Sequence, residues 1–114
     1  MIKLDIKPLS VNQAWQGKRF KSPEYKKYER VVLLMLPKQK IPLPPYRIDL
    51  EFGFSNGVSD IDNPLKPFID ILQKKYSIND KDIFELYVKK VVVKKKSDYV
   101  SFKITSLNNE LSLF

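Results

Sequence analysis

Apolar and polar residues alternate at the start of the chain, with Ile2, Leu4 and Ile6 on one side and Lys3, Asp5 and Lys7 on the other, which predicts a short strand over Ile2–Lys7 that Pro8 ends. A loop holding Trp15, Gly17, Lys18 and Arg19 follows. Ser22-Pro23 then supplies a helix start, because a serine side chain can accept from the first free amides and proline suits the first helical position. Tyr25, Tyr28, Val32, Met35 and Leu36 recur at helical spacing, so the helix should run to about Leu36, where Pro37 closes it. Residues 37–45 hold four of the eight prolines and read as an ordered connection. Tyr46 to Phe54 alternates strictly, with Tyr46, Ile48, Leu50, Phe52 and Phe54 facing one way and Arg47, Asp49 and Glu51 the other, the pattern of a half-buried strand.

After a Ser55-Asn56-Gly57 turn, Asn63-Pro64 marks a second helix start, and Leu65, Phe68, Ile69, Leu72 and Tyr76 form its apolar stripe. Pro67 fits within the first turn, although it can displace the true start by a residue or more. Ile83–Val93 and Tyr99–Thr105 are rich in branched and aromatic residues, and with residues 94–98 between them they read as a hairpin. The expected architecture is α+β: one small domain over residues 1–114, a mixed sheet of about four strands and two main helices in the order β-α-β-α-β-β. The pattern leaves open whether the residues from Leu107 onward dock or dangle.

Composition narrows the chemistry. A chain of 114 residues suffices for one core, and no apolar run approaches the roughly 18 residues of a membrane span, since Val31 to Leu36 is too short. No basic segment followed by an apolar stretch opens the chain, so a cytoplasmic protein is expected. With neither cysteine nor histidine, disulfides, thiolate nucleophiles, imidazole-held zinc and Ser-His-Asp triads are excluded, which leaves carboxylates, lysines, hydroxyls and bound ions. The net charge of +8 points to a polyanionic partner, because cations that neutralise phosphates release condensed counterions.

Asp60-Ile61-Asp62-Asn63 sets two carboxylates two residues apart between strand and helix, and in extended backbone both point to the same side. Such a pair can hold a hard cation such as Mg²⁺, which takes oxygen ligands and keeps several waters. The plainer reading makes Asp60 a turn residue and Asp62 or Asn63 a helix cap. Lys66 and Asp70 share the helix face opposite the apolar stripe, as a phosphate-facing cation with its neighbour or as a simple i,i+4 ion pair. Asp80, in Ser77-Ile78-Asn79-Asp80-Lys81-Asp82, is the third candidate acid, or else a plain turn residue.

The block of Asp60-Ile61-Asp62-Asn63, Lys66, the Phe68 to Leu72 helix with Asp70, and Asn79-Asp80-Lys81-Asp82-Ile83 resembles the RusA family of Holliday junction resolvases, and Pro8-Leu9-Ser10-Val11-Asn12 is similar to the signature after that family's first strand. The resemblance implies a Mg²⁺-dependent crossover junction endodeoxyribonuclease that hydrolyses phosphodiesters in four-way or related branched DNA during recombination and repair. It implies a homodimer, no nucleotide cofactor, and nicks that a ligase can seal. By it Asp60, Asp62 and Asp80 match metal-binding catalytic acids, Lys66 matches a catalytic lysine, and Asp70 matches an accessory helix acid. The chain departs from the family at Ser59, where a basic residue is frequent, and at Asn79, where an acid is, and the segment before Asp80 is about one residue short. Asp80 is preferred to Asp82 because it keeps a three-residue offset to Ile83. A short resolvase of this kind suits a phage or prophage.

DNA contacts are expected away from the acids. Residues 18–40 hold eight Lys or Arg against two Glu, including Lys18, Arg19, Lys21, Lys26 and Lys27, and residues 89–96 hold five Lys and no acid. Both runs are candidate phosphate rails, or else solvated faces. Trp15 is a candidate for stacking on an unpaired base, or for packing in the core. The alternative function is a non-catalytic basic nucleic-acid-binding module, and a further rival is a dimeric interaction protein kept soluble by its charge.

Overall fold

Strand β4 (Tyr46–Phe54) has neighbours on both edges, and its two faces differ as its alternation requires. Tyr46, Ile48, Leu50, Phe52 and Phe54 are buried, whereas Arg47, Asp49 and Glu51 keep partial contact with solvent. The structure, a computed structural model, describes residues 1–9, 15–16 and 20–108. Within it the elements run β1 (Ile2–Leu4), β2 (Trp15–Gln16), β3 (Phe20–Lys21), α1 (Pro23–Met35), β4, α2 (Leu65–Tyr76), a 3₁₀ turn (Asp80–Asp82), β5 (Ile83–Val92) and β6 (Tyr99–Ser106). The main sheet has the order β1-β6-β4-β5. β6 is antiparallel to both β1 and β4, and β5 is parallel to β4. The architecture is therefore a small α+β domain with a mixed four-stranded sheet and two helices, as the sequence predicts; β2 and β3 form a separate two-stranded ribbon where only a loop is read from the sequence.

Both helices begin where proline allows. Ser22 accepts the Tyr25 amide at 3.1 Å, and α1 buries Tyr25, Tyr28 and Val32, with Leu36 closing the last turn through its bond to the Val32 carbonyl. Met35, expected in that stripe, is partly exposed. α2 starts at Leu65 with Pro64 in the cap position and no side-chain cap, and Pro67 is buried at the third helical position, where its missing N–H costs nothing. Phe68 of α2 meets Phe52 edge-on at 6.3 Å between ring centroids and Phe102 at 5.7 Å, which seats the helix on the apolar face of the sheet. Ser77 takes a left-handed conformation (φ 55°) that ends α2.

Two expectations need correction. β5 and β6 are not a hairpin, because β4 lies between them. Their connection arches over the end of β4: the Val93 amide donates to the Phe54 carbonyl at 2.8 Å, and the Ser55 amide donates to Asp98 Oδ2 at 3.2 Å. A hairpin closes over one strand spacing with two to five residues, whereas residues 93–98 cross two spacings, roughly 10 Å. The first strand is also shorter than Ile2–Lys7, since the chain turns after Leu4 with the Ile6 amide on the Leu4 carbonyl at 2.9 Å. Leu107 is buried and its amide donates to the Pro45 carbonyl at 2.8 Å, so the chain is docked at least to that residue.

Candidate functional site

Asp60 and Asp62 sit in the connection that leads from β4 into α2, whose first part Asn56 braces by accepting the Val58 and Ser59 amides at 3.0 and 3.1 Å. The Asp60 carbonyl accepts from the Asn63 amide and the Asp62 carbonyl from the Leu65 amide, each at 3.2 Å. Neither Asp62 nor Asn63 caps α2 with its side chain. The carboxylates of Asp60 and Asp62 are exposed and make no ion pair or hydrogen bond with any described residue.

Along the next two turns of α2 the polar face is connected. Lys66 Nζ lies 2.9 Å from Asp70 Oδ1, and Gln73 Nε2 donates to the same oxygen at 3.4 Å. Gln73 Oε1 accepts the Asp80 amide at 3.2 Å, which draws the turn after α2 back against the helix. Asn79 caps that turn by accepting the Lys81 amide at 3.1 Å. Asp80 is exposed and its carboxylate has no described partner, whereas Asp82 is half-buried and lies close enough to Tyr46 to act on it: burial, and then the Asp82 charge, push the Tyr46 hydroxyl above its ordinary pKa. Gln73 is a site residue that charge-seeking misses; its signal in the sequence is its place seven residues after Lys66 and three after Asp70 on one helix face.

Asp62 is tied to the start of α2 and Asp80 to its last turn. Asp62 precedes Leu65 while Asp80 is held at Gln73, and eight residues of helix separate those anchors by about 12 Å. Among the described residues no group of three or more acidic side chains is placed to hold a metal ion. The exposed carboxylate oxygens of Asp60, Asp62 and Asp80 are of the donor type that hard cations take.

The basic residues divide by what they already hold. Lys21 pairs with Glu29 at 2.6 Å and lies 4.9 Å over the Tyr25 ring, and Lys74 of α2 takes the other Glu29 oxygen at 2.8 Å. Burial works against the Glu29 charge, but hydrogen bonds from Lys21 and Lys74 outweigh it and hold the carboxyl below its ordinary pKa. Lys26 and Lys27 stand exposed on α1 with no described partner. Lys89 lies 3.8 Å from Glu51, Lys90 donates to the Gly57 carbonyl at 3.0 Å, and Lys94, Lys95 and Lys96 are exposed. Lys18, Arg19, the Ser10-Val11-Asn12 signature and the side chain of Trp15 lie outside the described residues. No helix among the described residues is long and apolar enough to cross a membrane. A comparison with protein-family models finds no match, and a comparison with curated proteins finds none either.

Proposed function

We propose that the chain is a Mg²⁺-dependent, structure-selective endonuclease of the RusA type that cuts four-way or related branched DNA, acting as a homodimer in the cytoplasm of a bacterial or phage-infected cell. The observation that carries this reading is the set of exposed, unpaired carboxylates of Asp60, Asp62 and Asp80 in a strongly basic protein, with Lys66 and Asp70 on the helix face between them. Carboxylates free of protein partners keep their oxygens available to a hard cation, which takes oxygen ligands and retains several waters.

In this reading Asp60 and Asp62 hold one side of the ion, and Asp80 of a second copy completes the oxygen set, since within one copy Asp62 and Asp80 are tied to opposite ends of α2. A Mg²⁺ ion held by these carboxylates would supply Lewis-acid chemistry for hydrolysis of the phosphodiester. Lys66 meets the charge that builds on the phosphate oxygens, leaving Asp70 when substrate arrives. Gln73 positions the Asp80 turn through its backbone amide, and Lys26 and Lys27 contact phosphates along the arms.

The separation of the acids within one copy favours a second reading, a basic nucleic-acid-binding module that cuts nothing. Labelled four-way, three-way and linear DNA incubated with and without Mg²⁺ separates the two. The nuclease reading expects symmetric nicks in branched DNA only with Mg²⁺; metal-independent binding without cleavage would overturn it.

A further inference from the structure

β5 ends the main sheet: β4 pairs with it along one edge except at a bulge at Phe84, and no described strand lies on the other. Ten residues long and free of proline and glycine, it presents a row of unpaired backbone groups. Phe84 is 68% exposed, Val92 62%, Tyr87 50% and Leu86 42%, so the open edge is also apolar. Its two lysines do not guard it, since Lys89 leans over the sheet to Glu51 and Lys90 reaches the Gly57 carbonyl. That second contact sets the loop bearing Val58, 88% exposed, beside the strand and widens the apolar surface.

We propose that this edge is the seam at which a second copy of the chain adds, β5 antiparallel to β5, with Tyr87 on the two-fold axis. A two-fold normal to the sheet keeps each face of one copy continuous with the same face of the other, so only residues of equal parity can stand opposite each other. Among those registers, the one centred on Tyr87 sets Glu85 opposite Lys89 twice over and Leu86 opposite Val88, all on the regular side of the bulge at Phe84. Centring on Lys89 or Lys90 would oppose a lysine to itself, and centring on Val88 would leave Glu85 facing Val91. Centring on Leu86 would match Leu86 with itself but set Glu85 against Tyr87, so the Glu85–Lys89 charge pair is what selects the Tyr87 register. The seam names the contact for the dimer of the nuclease reading, but the open edge and its pattern carry it independently of catalysis.

The test uses charge reversal read by sedimentation equilibrium. The wild-type chain should dimerise; Glu85→Lys or Lys89→Glu alone should weaken the dimer by roughly tenfold or more, and the double reversal should restore it. Because the chain has no cysteine, Tyr87→Cys adds a lone thiol on the axis and should give a covalent dimer on mild oxidation, whereas Leu34→Cys, on the exposed side of α1, should not. A dimer indifferent to both reversals, or a monomer at micromolar concentration throughout, overturns the seam. A nuclease whose dimer ignores these changes would overturn the seam and spare the nuclease reading. A charge-dependent dimer that never cuts DNA would support the seam and remove the nuclease reading.

Discussion

Lys66 and Asp70 form an ion pair 2.9 Å long on the exposed face of α2, so the cation assigned to phosphate is already partnered before substrate arrives. Lys66→Ala should lower turnover on branched DNA by roughly a hundredfold while changing affinity only a few-fold, because one cation among many adds little to binding. Asp70→Asn should act oppositely on binding by freeing Lys66. Single-turnover rates and anisotropy titrations check both, and an unchanged rate for Lys66→Ala would return the pair to a surface ion pair worth a few tenths of a kcal/mol.

Asp60→Asn, Asp62→Asn and Asp80→Asn should each cut cleavage by roughly a hundredfold or more, with DNA affinity intact or raised, since each removes both an oxygen ligand and a repulsive charge. Asp82→Asn is the control. Asp82 is half-buried and near enough to Tyr46 for its charge to act there, and its loss should leave the rate near wild type. Activity lost at Asp82 and kept at Asp80 would exchange the two assignments.

Glu29 ties β3, α1 and α2 together through Lys21 and Lys74, and its side chain is only 14% exposed. Its folded pKa lies below its ordinary value of 4.5, so the carboxylate contributes stability that is fully present above that pH and is lost as the pH falls through the folded value. Glu29→Gln should therefore destabilise the protein by about 1.5–3 kcal/mol at neutral pH, with the gap from wild type narrowing below pH 4.5. Urea titrations at several pH values measure it.

Gly53 lies opposite Tyr99 in the β4–β6 ladder, and a Cβ added at Gly53 would collide with the tyrosine ring. Gly53→Ala should displace that ring, break the 2.7 Å bond from its hydroxyl to Glu51, and cost about 1–3 kcal/mol. Combining it with Tyr99→Ala should recover part of the loss, which a thermal double-mutant cycle would reveal.

What the sequence made legible was decided by local signals. The strict alternation of Tyr46 to Phe54 and the Ser22-Pro23 cap belong to single elements, and each survives folding unchanged. The hairpin was misread because alternation tells which face a strand buries but not which strand lies beside it; β4, apolar on its helix side, takes β5 and β6 on its two edges. The candidate acids were legible as residue types, yet their separation was not, since Asp62 and Asp80 lie at either end of a helical span whose length counts only once the helix exists. Gln73, uncharged, gave no signal beyond its spacing.

The place of β6 between β1 and β4 bears on how the protein emerges from a ribosome. β4, α2 and β5 can assemble as soon as they are made, but β1 and the remaining edge of β4 must wait for residues 99–106, the last strand among the described residues. Pairing Ile2 with Phe102 closes a loop of nearly the whole chain, which makes sheet closure a late and slow event. A nascent chain stalled before Tyr99 would leave the central strand β4 open along the edge that β6 covers and would be prone to aggregate or to occupy a chaperone until residues 99–106 arrived.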